Sequence, residues 1–262
     1  MTDFCVREYR KPDIPALTAL WHGVFGDSEE FVSEFLRLLP GMGAGAVAEL
    51  EGELVGAAYA ICGLTLDGVR IGYIYAVAVD ESARHHGIGE AVTQKARELA
   101  AERGAQIIST LPAEAGLYPW YEKIIGTQHR LHRSFTELVC APGCAVRAIG
   151  AEDYAKRRER LLAEKPHLVP SPTAMEFEAL LCRFYGGGLF ETDDGLCAVL
   201  RDGDTAYFHE LVSRDAPALA QSVGAHLGCR TARYFTVSEK GEDYIVADSP
   251  LPADCHFTFS FE

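Results

Sequence analysis

Residues 74–104 read IYAVAVDESARHHGIGEAVTQKARELAAERG. An apolar, strand-like run ends at Asp80, and a polar turn then carries Arg84, His85 and His86. Gly87-Ile88-Gly89 opens a helical pattern in which Ile88, Val92, Ala96 and Leu99 fall on one stripe, able to dock on a sheet. Gly104 is placed to end that helix with positive φ. A strand-to-helix turn leaves up to four backbone N–H groups without intrahelical partners, and their aligned dipoles add a partial positive charge. Without side chains, Gly87 and Gly89 let an anion approach this backbone. Arg84 can add a charge-assisted contact or shape the turn. The stretch reads as a pyrophosphate cradle running from Arg84 through Glu90.

The flanking sequence sets the context. Residues 46–80 read as three strands, with Glu51-Gly52 and Asp67-Gly68 at two hairpin turns. After the helix, AQIISTL is apolar enough for a central strand. The strand–helix–strand unit around Gly87 predicts a parallel crossover. AEAGLYPWYEKII reads as a short helix entered near residues 112–114, and HRLHRSFTEL as one strand or two. Ahead of the hairpins, FCVREY alternates like a strand. Two helices follow: one from Asp13 with Ile14, Leu17, Leu20, Trp21 and Val24 on a face, one opened by Ser28 and carrying Phe31, Phe35, Leu38 and Leu39. PGMGAG reads as the break of that second helix. GMGAG at 41–45 mimics part of a dinucleotide fingerprint, but it follows a helix and precedes a strand, the wrong order, and reads as a flexible loop. GGG at 186–188 reads as a turn, and there is no Gly-Lys-Ser/Thr of a nucleotide P-loop.

VCAPGCAV reads as a link, after which the order β-α-α-β-β-β-α-β partly repeats and HFTFSFE reads as a closing strand. The expected architecture is α/β, a mixed central sheet flanked by helices and duplicated in tandem, with domains at 1–141 and 145–262. In the second half, LVSRDAPALAQSVG stands where the cradle would be and has no glycine pair.

The 262 residues are 48% hydrophobic and 24% charged, ordinary for a soluble globular protein. No apolar run approaches the ~20 residues of a membrane helix, and the N-terminus lacks a signal peptide's apolar core. The formal charge of −14 disfavours a nucleic-acid partner. The eight cysteines include no CxxC pair and read as reduced thiols of a cytoplasmic protein. His85, His86, His129 and His132 lack metal-ligand spacing, so no metal is expected.

VAVDESARHHGIGEAV resembles the acyl-CoA motif of the GNAT superfamily of N-acetyltransferases, Val-x-x-x-x-Arg-x-x-Gly-x-Gly at a strand-to-helix turn. LPAEAGLYPWYEKI is similar to the family's later segment ending in Tyr-Glu-Lys. The resemblance covers about residues 1–140. It departs where the family often has Leu-Gly-Phe after that lysine, here Ile124-Ile125-Gly126-Thr127, and His85-His86 replace a commoner glycine and basic residue. The resemblance implies acetyl-CoA as cosubstrate, a GNAT-type sheet and, in the second half, a degenerate copy. It implies that backbone at Val77 and Val79 holds the pantetheine arm and that amides of Arg84, His85, His86, Gly87, Ile88, Gly89 and Glu90 hold the pyrophosphate. A splay between the third strand and the IISTL strand would admit the thioester.

Acetyl transfer to an amine needs a neutral amine, whose free pKa lies near ~10, a polarised carbonyl and a proton for the leaving thiolate. By resemblance, Tyr121 occupies the position that commonly protonates coenzyme A, with Tyr118 in reserve. The base is open among Glu114, Glu30, His22 and the chain's last carboxylate at Glu262; Tyr73 and Tyr75 share a strand face that offers no carboxylate. The expected activity is acetyl transfer to an amine of a small molecule or peptide. The second half would cover the substrate cleft or serve as a homodimer surface. The alternative is a non-catalytic acyl-CoA sensor or interaction protein on the same fold.

Overall fold

The computed structural model describes residues 4–252 and 254–261. The chain divides into two compact units, Met1–Arg130 with Ile245–Pro250, and Leu131–Tyr244 with Leu251–Glu262.

In the first unit the order is β1 (Cys5–Glu8), α1 (Ile14–Phe25), α2 (Glu29–Met42), β2 (Gly43–Leu50), β3 (Glu53–Leu66), β4 (Val69–Val79), α3 (Ile88–Glu102), β5 (Ile107–Thr110) and α4 (Tyr118–Ile125), with the start of β6 (His129–Val139). β1 to β4 are antiparallel neighbours. At both hairpins the two turn residues take positive φ, Glu51 52° with Gly52 90° and Asp67 50° with Gly68 80°, which matches strand twist. β4 and β5 run parallel, so α3 is the crossover the sequence predicts. Ile88, Val92, Ala96 and Leu99 are buried against Ala46, Ala48, Ala58 and Ile74. Full burial of such aliphatic side chains stabilises by roughly 1.5–3 kcal/mol each.

One reading of this unit is corrected. Residues 43–45 are no flexible loop: α2 runs through Pro40 to Met42, and β2 begins at Gly43 in the buried interior. A Cβ at Gly43 would collide with the carbonyl of Ala60 across the ladder, so close strand approach explains that glycine. The other side of β5 is covered by residues from far along the chain: Val246 pairs with Thr110 and Ala247 with Ser109. The Asp248 carboxylate accepts the Ile108 N–H at 2.9 Å.

The second unit continues with the rest of β6, β7 (Arg147–Ala148), α5 (Ala151–Leu162), β8 (Leu168–Pro170), α6 (Pro172–Phe184), β9 (Gly188–Glu191), β10 (Gly195–Asp202), β11 (Thr205–Ser213), α7 (Ala216–His226), β12 (Thr231–Ser238) and the first half of β13 (Glu242–Ala247). Its sheet runs β6-β12-β11-β10-β9-β7, and β11 and β12 are parallel across α7 as β4 and β5 are across α3. The expected closing strand is absent among the described residues. His256 makes an isolated bridge to His167, and 257–261 pair with no ladder. Phe257, Phe259 and Phe261 are buried instead, while EDYIVA, with Gly241 before it, supplies β13. Glu262 lies outside the described residues.

A polar knot sits inside this unit. Arg158, fully buried, donates Nε to both Glu210 oxygens at 3.0 and 2.9 Å and Nη1 to the Leu168 carbonyl at 2.6 Å. Glu210 also accepts from Tyr154 (2.8 Å) and Thr258 (2.6 Å) and stands 2.8 Å from His256 Nε2. Burial alone would raise the Glu210 pKa, but Arg158 and His256 outweigh it and hold the carboxyl well below its usual range. A depressed carboxylate adds stability that is complete above its unfolded pKa, ~4.3, and fades as pH falls toward the folded value. Glu210→Gln leaves Arg158 uncompensated and should destabilise the protein by about 3–5 kcal/mol at neutral pH. Denaturant titration should show the gap to the parent narrowing below pH ~4; a gap that widens on acidification contradicts this account.

Candidate active site

The sequence places Val77, Val79 and residues 84–90 on one strand-to-helix turn, and the structure shows what that turn offers. β4 pairs with β5 only from Ile71 to Tyr73. β5 ends at Thr110, whose hydroxyl donates to the Ile74 carbonyl at 2.9 Å, while β4 continues to Val79. On its β3 side, β4 carries a bulge: Ala76 and Val77 stand against the single residue Ala58, between the pairs Tyr59↔Tyr75 and Ala57↔Ala78. Ala76 sits at φ 47°, a region non-glycine residues rarely enter. The bulge re-aims the backbone where β4 leaves β5, and Tyr75, Ala76, Val77 and Val79 are half-buried there.

The turn itself has positive φ at His85 (65°) and Gly87 (81°). Such alternation turns successive N–H groups toward one concavity. Gly87 is the N-cap of α3 and lends no side-chain cap. The first intrahelical bond is Ala91 N–H to Gly87 O at 3.0 Å. The N–H groups of Ile88, Gly89 and Glu90 precede it, and no partner for them lies among the described residues. Arg84 Nε donates to the Val79 carbonyl at 3.2 Å, which ties the turn to the strand end. His85, His86 and Gly87 are exposed.

The two glycines differ. Gly87 needs its positive φ. Gly89 lies within α3, where a Cβ would make only ordinary contacts, 3.5 Å to Val79 Cγ2 and 3.6 Å to Trp120. Folding therefore does not require glycine at 89, and helix propensity disfavours it. The N-terminus of α7 is the opposite case. Asp215 caps it, accepting the Ala218 N–H at 3.1 Å, so a carboxylate already stands where an anion would bind.

Tyr118 and Tyr121 are buried beside the cradle, in a cluster with Ile88, Val92 and Val246 that Val77, Val79 and Trp120 pack against. Tyr121 is 8% exposed and meets Trp120 edge-on at 4.6 Å between centroids. No hydrogen bond to its hydroxyl occurs among the described residues, and burial pushes its pKa up to about 12. Arg130, ion-paired with Glu122, lies 5.1 Å from the Tyr118 ring centroid. Trp120, which bridges Gly89 and Tyr121, escapes a motif reading because nothing in its spacing distinguishes it from a core aromatic. The candidate bases are not drawn into this cluster. Glu30 and Glu114 are exposed, and His22, also exposed, has Nδ1 2.7 Å from the Asp27 carbonyl.

The site thus joins a mixed sheet with a parallel crossover, a bulged strand parting from its neighbour and an uncapped helix start. Residues 14–126 match the model of the Acetyltransferase (GNAT) family. An uncharacterized N-acetyltransferase of Chlorobaculum tepidum is 25% identical over 116 residues, covering 44% of this chain and 72% of that protein. A GCN5-related N-acetyltransferase from Kribbella flavida shares the fold over 95% of this chain and 72% of its own, with 18% identity and a TM-score of 0.67. One from Anabaena variabilis does so over 94% and 72%, with 14% identity and a TM-score of 0.64. Among the described residues no helix is long and apolar enough to cross a membrane.

The two glycines separate in a stability test. Gly87→Ala should lose about 1–2 kcal/mol, the cost of a left-handed alanine. Gly89→Ala should lose nothing and gain up to ~1 kcal/mol from helix propensity. Thermal unfolding of the ligand-free variants reads both, and an equal loss at the two positions would mean that Gly89 serves the fold.

Proposed function

We propose that the first unit is an acetyl-CoA-dependent N-acetyltransferase acting on an amine of a small molecule or peptide, in a reducing, cytoplasmic setting. The observation that carries it is the uncapped start of α3, with unpartnered amides at 88–90 and a glycine at 89 that the fold does not need. The pyrophosphate of coenzyme A fits this nest by charge and by approach distance. Backbone of Val77 and Val79 holds the pantetheine arm where β4 has left β5, and N–H groups of the bulge polarise the thioester carbonyl. The amine attacks that carbonyl directly: a C–N bond forms, the C–S bond breaks, and one amine proton ends on sulfur. The non-catalytic sensor alternative shares the nest but predicts no coenzyme A release with any amine.

Tyr121 faces a constraint its pKa makes visible. A hydroxyl near 12 stays protonated at working pH, yet it does not yield its proton outright to a thiolate of pKa ~8.5. Its contribution is a hydrogen bond that strengthens as charge gathers on sulfur, while the tyrosine keeps its proton and the amine's proton passes to the sulfur. Tyr118 is the reserve donor, and the base stays unassigned. The second half, from 145 to 262, is proposed as a degenerate copy that covers the acceptor cleft or forms a homodimer surface.

The test is coenzyme A release over a panel of amines. Once an acceptor is found, Tyr121→Phe should lower turnover roughly 10²–10⁴-fold while acetyl-CoA affinity, read by calorimetry, stays near the parent's. Unchanged turnover in both Tyr121→Phe and Tyr118→Phe would remove tyrosine from the mechanism.

A further inference from the structure

Three side chains of the second unit form a group that acetyl transfer does not use. Glu178 and Cys182 lie four residues apart on α6, hence on one face, and His209 lies on β11. Their exposures are 1%, 0% and 1%. Glu178 Oε1 stands 2.9 Å from His209 Nδ1 and 3.5 Å from Cys182 Sγ. All three donor atoms lie within 4.8 Å of one another, and no other group of three or more His, Cys, Asp or Glu side chains among the described residues is so arranged.

The carboxylate of Glu178 is only half satisfied. Its Oε2 is buried and has no hydrogen-bond partner among the described residues. Leaving such an acceptor unpaired costs about 1–3 kcal/mol. In the same unit, Glu210 shows both of its oxygens engaged. An unengaged oxygen thus sits beside a thiol and an imidazole in a sealed core.

We propose that Glu178, Cys182 and His209 bind one Zn2+ that fixes α6 to β11, a structural site independent of the acetyltransferase reading. Thiolate, imidazole and carboxylate are the ligand types zinc takes. With Zn–N and Zn–O of about 2.0–2.1 Å and Zn–S of about 2.3 Å, tetrahedral geometry sets N···O near 3.3 Å and S···O near 3.5 Å. The sulfur already stands at that distance from the carboxylate, the imidazole nitrogen is a few tenths of an ångström closer to it than the tetrahedral edge, and the ring and thiol, within 4.8 Å of each other, close in on the ion. Glu178 Oε2 can chelate the same ion as a short-bite fourth contact that distorts the tetrahedron. One thiolate, one carboxylate and a neutral imidazole cancel the charge of the ion, as a core this buried demands. Burial and the Glu178 charge push the Cys182 thiol well up, so the thiol stays protonated without metal. Zinc binding releases that proton to solvent and, where the ring carries two, the Nδ1 proton of His209. This departs from the expectation of no metal, which rests on the spacing of His85, His86, His129 and His132.

Because the ligands are sealed, the test unfolds the full chain with chelator and refolds it with Zn2+, with Co2+ or with neither. The parent should retain one Zn2+ per chain after desalting, melt at a higher temperature with zinc than without, and show thiolate-to-cobalt charge transfer. Cys182→Ala should lose the zinc and the cobalt band, Cys140→Ala should keep both, and Glu178→Gln should weaken zinc by at least ~10-fold, the least that loss of even an outer partner brings. Should Cys182→Ala fail to refold, Cys182→Ser gives the same reading. A refolded parent that retains no zinc, or a folded Cys182 variant that retains the parent's zinc and cobalt band, overturns the proposal and leaves the three residues as a hydrogen-bonded core group.

Discussion

The structure turns on one uncapped helix start. A helix that begins on a glycine with no capping side chain leaves its first N–H groups without protein partners, a cost most helices avoid. In α3 that cost coincides with a positive-φ turn, an arginine that anchors the turn to β4, and a second glycine that fills no steric need. The remainder of the first unit supports this feature. The parallel crossover aims the helix N-terminus at the end of β4, the bulge at Ala76–Val77 re-aims the strand, and the early end of β5 leaves one side of β4 open. The same fold order in the second unit ends differently. Asp215 occupies the start of α7 with its own carboxylate, so that helix is self-satisfied and carries no cradle.

The electrostatics of the two units diverge in the same way. The first leaves backbone N–H groups unpartnered at the start of α3, whereas the second buries charges and pairs them. Arg158 and Glu210 tie α5 to β11, and the residues that follow β13 contribute His256 and Thr258 to the same carboxylate. Four partners on one buried carboxylate give the unit a specific core and make it sensitive to acid. Glu178 lacks such a set, which is what singles it out.

Much of this is legible in the sequence because it is local. The Gly-x-Gly spacing, the paired X-Gly turns at 51–52 and 67–68 and the apolar stripe of α3 are determined by residues within a few positions of one another. The features that escape are set by contacts distant along the chain. Gly43 looks like loop punctuation until Ala60 is placed against it. EDYIVA is assigned no element beside the expected closing strand HFTFSFE, yet it forms β13 and supplies Val246 to β5, while Phe257, Phe259 and Phe261 go to the core without a ladder. Cys182 reads only as one of eight reduced thiols, and the proximity of Glu178 and His209 gives it another meaning. Trp120 likewise takes its place from Gly89 and Val79.

The central claim, that α3 and not α7 receives the pyrophosphate, is tested most directly by following backbone amides of the full chain in nuclear magnetic resonance as coenzyme A is added. The account predicts saturable shifts concentrated at Val77, Val79 and residues 84–90, with residues 215–219 unmoved. Shifts of comparable size at the start of α7, or none in the 84–90 turn while coenzyme A binds elsewhere, would contradict it.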